Sequence, residues 1–394
     1  MPKPMRVAIV SETYPPEVNG VALTVQALEQ GLRTRGHAVE LIRPRRREEA
    51  ALASPEQLLL PSLPLPRYPG LRFGLPAARR LRARWQLQRP DAIYVATEGP
   101  LGASALAAAR SLGIPASSGF HTRFDAYAER YGFAILRGVV LAWLRRFHNR
   151  ADTTLVPTRE LAQFLSVHGF ADITLLRRAV DTTQFHPARR SPGLRAQWGA
   201  DADTPVLIHV GRIAPEKNLA LAIGAFRQLQ HQQPQARMVF VGDGPDRAAL
   251  AAAHPDFVFC GVQRGEALAR HFASADVFVF PSLSETFGNV TLEAMASGLA
   301  TVAFDTGAAR EHLRDGEHGA AIAVDDGDAF IAATAALAND LSASRRMGNA
   351  AREAVAHLAP ETVSARFEQV LRELIARRAL AAPAWPVASN GGRS

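Results

Sequence analysis

The sequence predicts an α/β protein made of two doubly wound parallel sheets, and three observations predict it. Short apolar, β-branched runs alternate with helical patterns along the chain, which is typical of parallel strands joined by crossover helices. The alternation stops in a stretch rich in proline, glycine and charge, residues 185–204, and then starts again. The length of 394 residues suits two such units better than one small core.

The first unit begins with residues 5–10, a short apolar run typical of a buried parallel strand. A polar loop over residues 11–20 follows, and residues 21–34 show the apolar spacing of a helix that Gly36 ends. Residues 44–75, rich in Arg, Glu and Pro, are expected to form an irregular excursion. Further strands are expected at 38–42, 92–96, 114–118, 153–156 and 173–176, and further helices at 76–88, 101–111 and 135–149.

The second unit repeats this pattern after residues 185–204, which we interpret as a linker. Strands are expected at 206–210, 238–241, 257–260, 277–280, 301–304 and 321–324. Residues 219–230 and 327–380 are expected to be helical, and residues 381–394 to form a disordered tail. Ligands of such sheets bind at the carboxyl ends of the strands, so the cleft between the two units is the expected site.

The composition excludes several classes of protein. Hydrophobic residues make up 47% and charged residues 21% of the chain, an ordinary globular mixture. The single cysteine, Cys260, excludes an intramolecular disulfide and gives no sign of a zinc site. We find neither the hydrophobic stretch of a signal peptide nor an apolar run long enough to span a membrane, and therefore expect a cytoplasmic protein.

The positive charge is concentrated in the first 150 residues. They contain 22 Lys and Arg against 11 Asp and Glu, whereas residues 151–394 contain 23 against 26. A basic surface of this kind fits a solvated face without a partner, an anionic membrane, or nucleic acid. Trp85 is the only aromatic residue in the basic stretch 76–90, so the stacking platforms of a nucleic-acid binder are missing there. We expect no nucleic-acid partner.

Residues 280–298 are the most informative of the predicted strand-end loops. A strand ends there in a small polar turn, and a helix begins around Gly288 and Asn289. The N-terminus of a helix attracts anions because its first N–H groups lack partners and its dipole is positive at that end. Glu285 and Glu293 bracket the turn, and ionised carboxylates accept hydrogen bonds from sugar or ribose hydroxyls.

Three other strand-end loops carry candidate residues. Arg212 and Lys217 lie beside Gly211 and suit a diphosphate, although a solvated surface pair has the same pattern. Gly20 precedes a predicted helix, where it allows close backbone approach or makes a tight turn. His121 also lies at a strand end, a position that a structural histidine occupies equally well.

Together these residues make the sequence similar to the family-4 retaining glycosyltransferases of the GT-B fold, over about residues 7–375. The strongest motif is the E-x7-E of that family, which here runs from Glu285 to Glu293. Tyr14-Pro15-Pro16, Asn19-Gly20 and Gly36-His37 match the N-terminal pattern of the family. The sequence departs from the family pattern at Asn19, Ala179, Ala300 and residues 306–309.

The resemblance implies two Rossmann-like domains that face each other across a cleft. Residues 1–190, joined by a C-terminal helix at about 361–380, would form the acceptor-side domain, and residues 200–360 would bind the nucleotide sugar. The resemblance favours mannose from GDP-mannose as the donor and a lipid or lipid-linked glycan as the acceptor. The alternatives are a UDP-sugar-dependent diacylglycerol glycosyltransferase of glucosyl or sulfoquinovosyl type and a nucleotide-sugar 2-epimerase. No cofactor or metal is expected, and the enzyme would lie on the inner face of the cell membrane.

The resemblance also implies a role for each site residue. Arg212 and Lys217 would hold the donor diphosphate and stabilise the leaving group. Glu285 would bind hydroxyls of the donor sugar, Glu293 would bind the ribose, and His121 would lie near the donor sugar. The remaining donor-binding candidates are Gly20, Asp243, Val262, Gly288, Asn289 and Val290.

Overall fold

The computed structural model describes residues 3–17, 19–46, 49, 56–64, 72–121, 137–283, 285 and 287–381. Two parallel sheets, one of seven strands and one of six, form the architecture of these residues. The alternating pattern of the sequence predicted this arrangement, and the expectation of two doubly wound parallel sheets is confirmed.

The first sheet is built from the N-terminal part of the chain. Its strands run in the order β3-β2-β1-β6-β7-β8-β9, all parallel, while β4 and β5 form a separate antiparallel hairpin. The strands are β1 (Arg6–Val10), β2 (Ala38–Pro44), β3 (Gln57–Leu60), β4 (Ser62–Pro64), β5 (Arg72–Gly74), β6 (Ala92–Val95), β7 (Ala116–Gly119), β8 (Thr153–Val156) and β9 (Ile173–Leu175). The helices are α1 (Gly20–Thr34), α2 (Ala78–Leu87), α3 (Pro100–Leu112), α4 (Arg137–His148) and α5 (Arg159–Val167).

Helices cover both faces of this sheet, which explains why its central strands are apolar throughout. Every residue of β6 is buried, and β1 is buried from Val7 onwards. The apolar stripe of α1 packs on one face, and α2 and α3 cover the other with Leu81, Trp85 and Leu101. Burial on both faces removes the need for polar alternation along the strands.

The second sheet is built from the C-terminal part of the chain, with strand order β12-β11-β10-β13-β14-β15. Its strands are β10 (Val206–Val210), β11 (Arg237–Val241), β12 (Val258–Phe259), β13 (Val277–Phe280), β14 (Ala300–Phe304) and β15 (Gly319–Ile322). The helices are α6 (Pro192–Gln197), α7 (Leu219–Gln232), α8 (Arg247–Ala253), α9 (Gly265–Ser274), α10 (Asn289–Ala296), α11 (Gly307–His312), α12 (Gly327–Asn339) and α13 (Leu341–Val355). Short 3-10 helices occur at Pro187–Arg189, Pro215–Lys217 and Ala356–Leu358.

The last helix, α14 (Pro360–Ala381), returns to the first sheet and packs beside α1. Phe367 and Leu371 are buried there in the same core as Leu28 of α1. The two helices come so close that a Cβ at Gly31 would collide with Ser364. The proposed division into domains, at residues 1–190 and 200–360, remains a prediction.

Two expectations from the sequence are wrong. Residues 44–75 were expected to be irregular, but β3 pairs with β2 at the edge of the first sheet and β4 pairs with β5. Residues 185–204 were expected to be a linker, but they include α6, and Arg195 of this helix is buried in an ion pair with Asp276 at 3.0 Å. A segment whose charged side chains form ion pairs in the interior has the same amino-acid composition as a solvated linker. The expected tail, 382–394, lies outside the described residues.

Candidate active site

The first turns of α1 and α10 lie side by side across the gap between the two sheets. Gly20 opens α1, and a Cβ built on it would be only 3.4 Å from Nδ2 of Asn289, the first residue of α10. Gly288 precedes α10 in a left-handed conformation, with φ of +87°, and the helix has no side-chain cap. Because helix N-termini carry positive partial charge, the space beside these two ends favours an anion.

Lys217 and Glu285 form an ion pair at the edge of the second sheet. Lys217 ends the 3-10 helix after β10, and its Nζ contacts Oε1 of Glu285. Ser282 donates a hydrogen bond to the same carboxylate oxygen at 2.9 Å, and Nζ lies 5.4 Å from the ring centre of Phe280. Both charged side chains are mostly buried, with 15% and 17% exposed. A ligand that binds either charge therefore competes with the other one for it.

Three further predicted residues occupy the carboxyl ends of β10, β11 and β12. Arg212 is exposed and pairs with Glu216 at 3.2 Å. Asp243 accepts a hydrogen bond from the N–H of Gly244 at 2.8 Å, and Val262 is half exposed. The strand order places the loops of these residues next to one another, with the Lys217–Glu285 pair at the β13 end of the row.

The glycines of the Gly242-Asp243-Gly244-Pro245 turn have a structural function. A Cβ at Gly242 would collide with the carbonyl oxygen of Gly211, and one at Gly244 would collide with that of Ile213. The N–H of Ile213 also donates to the carbonyl of Asp243 at 2.9 Å. The turn therefore holds the Arg212 loop in place by close backbone packing, which only glycine permits.

Glu293 faces the gap between the sheets from α10. It lies one helical turn after Asn289, and both residues line a cavity of about 110 Å³ together with α1 and His121. Among the described residues no side chain donates a hydrogen bond to Glu293, and its burial raises the pKa of the carboxyl group to about 7. Val290, beside Asn289, packs instead on the core of the second sheet.

His121 lies across the cavity from Glu293, directly after β7. Its Nε2 is 2.6 Å from the hydroxyl of Tyr94, and its Nδ1 is 2.6 Å from Nη2 of Arg178. Burial, and then the positive charge of Arg178, lower the pKa of His121 well below its usual range. A Cβ at Gly119 would collide with both Tyr94 and His121, so this close arrangement requires glycine.

Sequence reasoning missed Tyr94, Arg178 and Ser282. Tyr94 lies inside the buried strand β6, where the sequence does not distinguish a site residue from an aromatic residue that only packs in the core. Ser282 gave only a weak signal, as one of several small polar residues in the turn before Glu285. Arg178 had a usable signal, because it opens the Arg178-Ala179-Val180-Asp181 segment that departs from the family pattern.

The two halves also touch away from the cavity, where α5 meets α11. Glu160 of α5 pairs with Arg310 of α11 at 2.9 Å, and both side chains are more than 40% exposed. Glu311, which is mostly buried, accepts a hydrogen bond from the N–H of Arg159 at 3.0 Å. These contacts join a helix of the first half, α5, to a helix of the second half, α11.

The described part of the chain has neither a cluster of metal ligands nor a helix that could span a membrane. No group of three or more His, Cys, Asp or Glu side chains there is arranged to hold a metal ion. None of the helices described has the length and apolar character needed to cross a membrane.

Comparison with known proteins gives matches to both halves. Residues 18–184 match the family described as Glycosyltransferase Family 4, and residues 204–340 match the family described as Glycosyl transferases group 1. The chain is 36% identical, over 89% of its own length and 92% of the relative's, to a GDP-mannose-dependent alpha-mannosyltransferase of Mycolicibacterium smegmatis. It is 32% identical to the Sulfoquinovosyl transferase SQD2 of Arabidopsis thaliana, over 89% of this chain and 70% of that protein.

Among solved structures, the chain resembles a sucrose-phosphate synthase from Thermosynechococcus elongatus. The TM-score is 0.77 over 95% of this chain and 100% of that one, at 20% sequence identity. This likeness concerns the fold, and it confirms the GT-B architecture expected from the sequence. The chain therefore belongs to the family-4 glycosyltransferases of the GT-B fold.

Proposed function

We propose that this protein is a retaining glycosyltransferase that transfers mannose from GDP-mannose to a lipid or a lipid-linked glycan. The observation that carries this proposal is the 36% identity, over 89% of the chain, to a GDP-mannose-dependent relative. The geometry supports a phosphorylated donor, because two helix N-termini and Lys217 lie at the facing edges of the two sheets.

The chemistry expected at this site is stabilisation of the departing diphosphate. Negative charge grows on the diphosphate oxygen as its bond to the anomeric carbon breaks. Lys217, Arg212 and the amides at the start of α10 are donors that can be aimed at that charge. Donors fixed before the reaction usually supply the largest single contribution to catalysis in a closed cleft.

Donor binding would exchange the partners of the Lys217–Glu285 pair. Glu285 neutralises Lys217, and Ser282 donates a hydrogen bond to the carboxylate. A diphosphate can replace Glu285 as the partner of Lys217, and the freed carboxylate can then accept hydrogen bonds from sugar hydroxyls. Lys217 keeps a charged partner and Glu285 keeps hydrogen-bond donors, which avoids the cost of leaving either charge buried without a partner.

Glu285 and Glu293 are unsuited to act together as a hydrolytic acid–base pair. Such a pair flanks the scissile bond from opposite sides. Here Glu285 is held by Lys217, whereas Glu293 faces the cavity between the sheets from the following helix. This arrangement supports hydroxyl binding by both carboxylates.

The second candidate is a UDP-sugar-dependent diacylglycerol glycosyltransferase of sulfoquinovosyl or glucosyl type. The 32% identity to the sulfoquinovosyl transferase of Arabidopsis thaliana favours it specifically. A thermal-shift series with GDP-mannose, GDP, UDP-glucose and UDP separates the candidates, since a bound ligand at 100 times its Kd adds about 2.7 kcal/mol to the free energy of unfolding. Stabilisation by the guanine nucleotides alone supports the first candidate, and stabilisation by the uridine nucleotides alone contradicts it.

A nucleotide-sugar 2-epimerase of the same architecture would need no acceptor. Incubation of the protein with the donor that stabilises it, in the absence of any acceptor, tests this alternative. Formation of an epimerised nucleotide sugar under these conditions would contradict transfer as the main reaction. A transferase leaves the donor intact or hydrolyses it slowly, because closure of the cleft excludes water.

We further propose that the N-terminal half lies on the anionic inner leaflet of the cell membrane. On α4, Val139 is 66% and Trp143 is 49% exposed, beside the exposed Arg145 and Arg146. Apolar and basic side chains on one helix suit the interface of an anionic bilayer. Sedimentation with vesicles of 30% phosphatidylglycerol should retain the wild type at roughly physiological salt and lose the Trp143→Ser variant. Equal retention of both would contradict this surface.

A further inference from the structure

The His121 ring is held from two sides by residues that are distant in the sequence. The Tyr94 hydroxyl, from β6, is 2.6 Å from Nε2, and the Arg178 guanidinium, after β9, is 2.6 Å from Nδ1. Tyr94 is itself fixed by an edge-to-face contact with Phe367 of α14, at 5.2 Å between ring centres. The position of the imidazole is therefore set by three separate elements.

These contacts determine which ring nitrogen carries the proton. A guanidinium only donates hydrogen bonds, so Nδ1 of His121 must accept from Arg178. A neutral imidazole with an accepting Nδ1 has its hydrogen on Nε2, which then donates to the oxygen of Tyr94. Both ring nitrogens are thus occupied by protein groups before any substrate binds.

Arg178 is unusual because it is buried without a carboxylate partner among the described residues. Only 6% of it is exposed, its Nε has no hydrogen-bond partner within the described structure, and burial lowers the pKa of its guanidinium to about 10. A buried cation without a counter-charge costs several kcal/mol, so stability alone does not explain its presence. The nearby Asp181 instead caps its own turn, accepting from the N–H groups of Thr183 and Gln184.

We propose that Arg178 is a positioning residue for His121, holding the imidazole neutral, with its proton on Nε2 and its ring fixed at the cavity shared with Asn289 and Glu293. His121 then shapes the surface against which the donor sugar lies and exchanges no proton with it. This inference rests on the proposed glycosyl transfer for the identity of the sugar, but the state of the imidazole can be measured without any substrate.

Other charged groups around the cavity must be considered in a test that varies pH. Arg177 directly precedes Arg178, and Asp181 follows it by three residues; both line the cavity. Glu293 faces the cavity from α10. The charge of His148, on α4, opposes protonation of His121. Glu293 changes charge near neutral pH, because its pKa is raised to about 7. The Glu293→Gln background separates its titration from that of His121.

The decisive experiment is long-range ¹H–¹⁵N NMR of ¹⁵N-histidine-labelled protein, with His121 assigned from the His121→Asn variant. We expect one neutral Nε2–H tautomer that does not titrate between pH 5.5 and 8. In Arg178→Met, which removes the donor to Nδ1, we expect a mixture of tautomers or a titrating signal. An Nδ1–H tautomer or an imidazolium in the wild type, or an unchanged signal in Arg178→Met, would overturn the proposal.

Tyr94→Phe provides a second variant in case Arg178→Met does not fold. It removes the oxygen that accepts from Nε2 but keeps the ring contact with Phe367. We expect the Nε2 signal of His121 to move while the signals of the other histidines stay in place. A Tyr94→Phe spectrum identical to that of the wild type would contradict the arrangement.

Kinetics then connect this state to transfer. With the donor found by thermal shift, Arg178→Met should lower kcat by tenfold or more with a smaller change in the KM of the donor. It should also add a pH dependence that stays below 6.5, the usual pKa of histidine, because burial of His121 remains when the charge of Arg178 is removed. Arg178→Lys, which keeps a cation, should restore part of kcat. If no donor supports turnover, the proposed function fails while the NMR result still decides the role of Arg178.

Discussion

The edges of the two sheets on either side of the gap between them are arranged in opposite ways. On the second sheet, Lys217 and Glu285 neutralise each other, and the proposed donor would change their partners. On the first sheet, His121 already has both ring nitrogens occupied, by Tyr94 and Arg178. The edge of the second sheet holds two charges that a ligand can separate, whereas the edge of the first sheet holds a side chain whose position is fixed before a ligand binds.

This difference separates residues that act through charge from residues that act through position. Charge-carrying groups must reach the ligand, so they lie on loops and keep some exposure to solvent. Positioning groups work best when they are rigid, so they lie in buried strands and at strand ends. Substitutions on the two edges should therefore have different effects on turnover and on its pH dependence.

The largest expected effect is that of Lys217→Ala. The variant should lose about 10²–10³ in kcat, because it removes a charged donor to the departing diphosphate. The quantity to measure is the initial rate with saturating donor. The matched control is Arg314→Ala, an exposed cation on the same half that pairs with Glu317 at the surface. Wild-type turnover in a correctly folded Lys217→Ala variant would refute the role assigned to this edge.

An intermediate effect is expected from the titration of Glu293. Because its pKa is raised to about 7, the carboxylate is mostly protonated at pH 6 and mostly ionised at pH 8. Both oxygens of the ionised carboxylate can accept hydrogen bonds from the ribose hydroxyls, whereas the protonated form has lost one acceptor. The affinity for GDP should therefore increase up to about tenfold between pH 6 and pH 8. Isothermal titration calorimetry at both pH values measures it. In Glu293→Gln, the increase should disappear.

The same group has the opposite effect on the ligand-free protein. A raised carboxyl pKa means that the folded state binds the proton more tightly than the unfolded state does. The free energy of unfolding should therefore fall as pH rises from about 4.5 to 7, by at most about 3 kcal/mol. Across this range the melting temperature of the wild type should fall relative to that of Glu293→Gln, because the amide does not titrate. An equal fall in both proteins would contradict the assignment to Glu293.

The smallest effect is expected where the halves touch at the surface. Glu160→Gln breaks the ion pair with Arg310, but both side chains are more than 40% exposed, and such pairs contribute less than about 1 kcal/mol. We expect a shift in Tm of a few degrees at most, which 1 M NaCl abolishes. A larger, salt-independent loss would show that this contact holds the halves rigidly together.

The sequence predicted the parallel sheets well because apolar runs and strand-end loops have clear periodicity. It predicted the charged edge for a similar reason, since Lys217 and Glu285 stand out in loops. It could not predict that these two residues pair with each other, because that contact depends on the adjacency of β10 and β13. Tyr94 was hidden for a different reason, because burial of a polar group leaves no mark on sequence periodicity. Arg178 was marked only by its place at the start of residues 178–181, and its contact with His121 could not be predicted from that.

The same limit explains the segment that we interpreted as a linker. Arg190 and Arg195 have the composition of a solvated connector, yet both contact the buried Asp276, at 2.7 and 3.0 Å. The sequence alone does not show whether a charged side chain is solvated by water or paired with a carboxylate that is distant along the chain. The ends of the first helix were predicted more closely, at 21–34 against the observed Gly20–Thr34, because its cap, Asn19, is local in sequence.

The return of α14 to the first sheet has a consequence for synthesis on the ribosome. Phe367, Val370 and Leu371 complete a core whose buried members outside α14 lie between Met5 and Leu176. That face of the first sheet is covered by α1 alone in this region until nearly all of the chain has been translated. The N-terminal half must therefore finish folding after the C-terminal half has emerged, so a chain truncated before residue 360 would expose an apolar surface on its otherwise complete sheet.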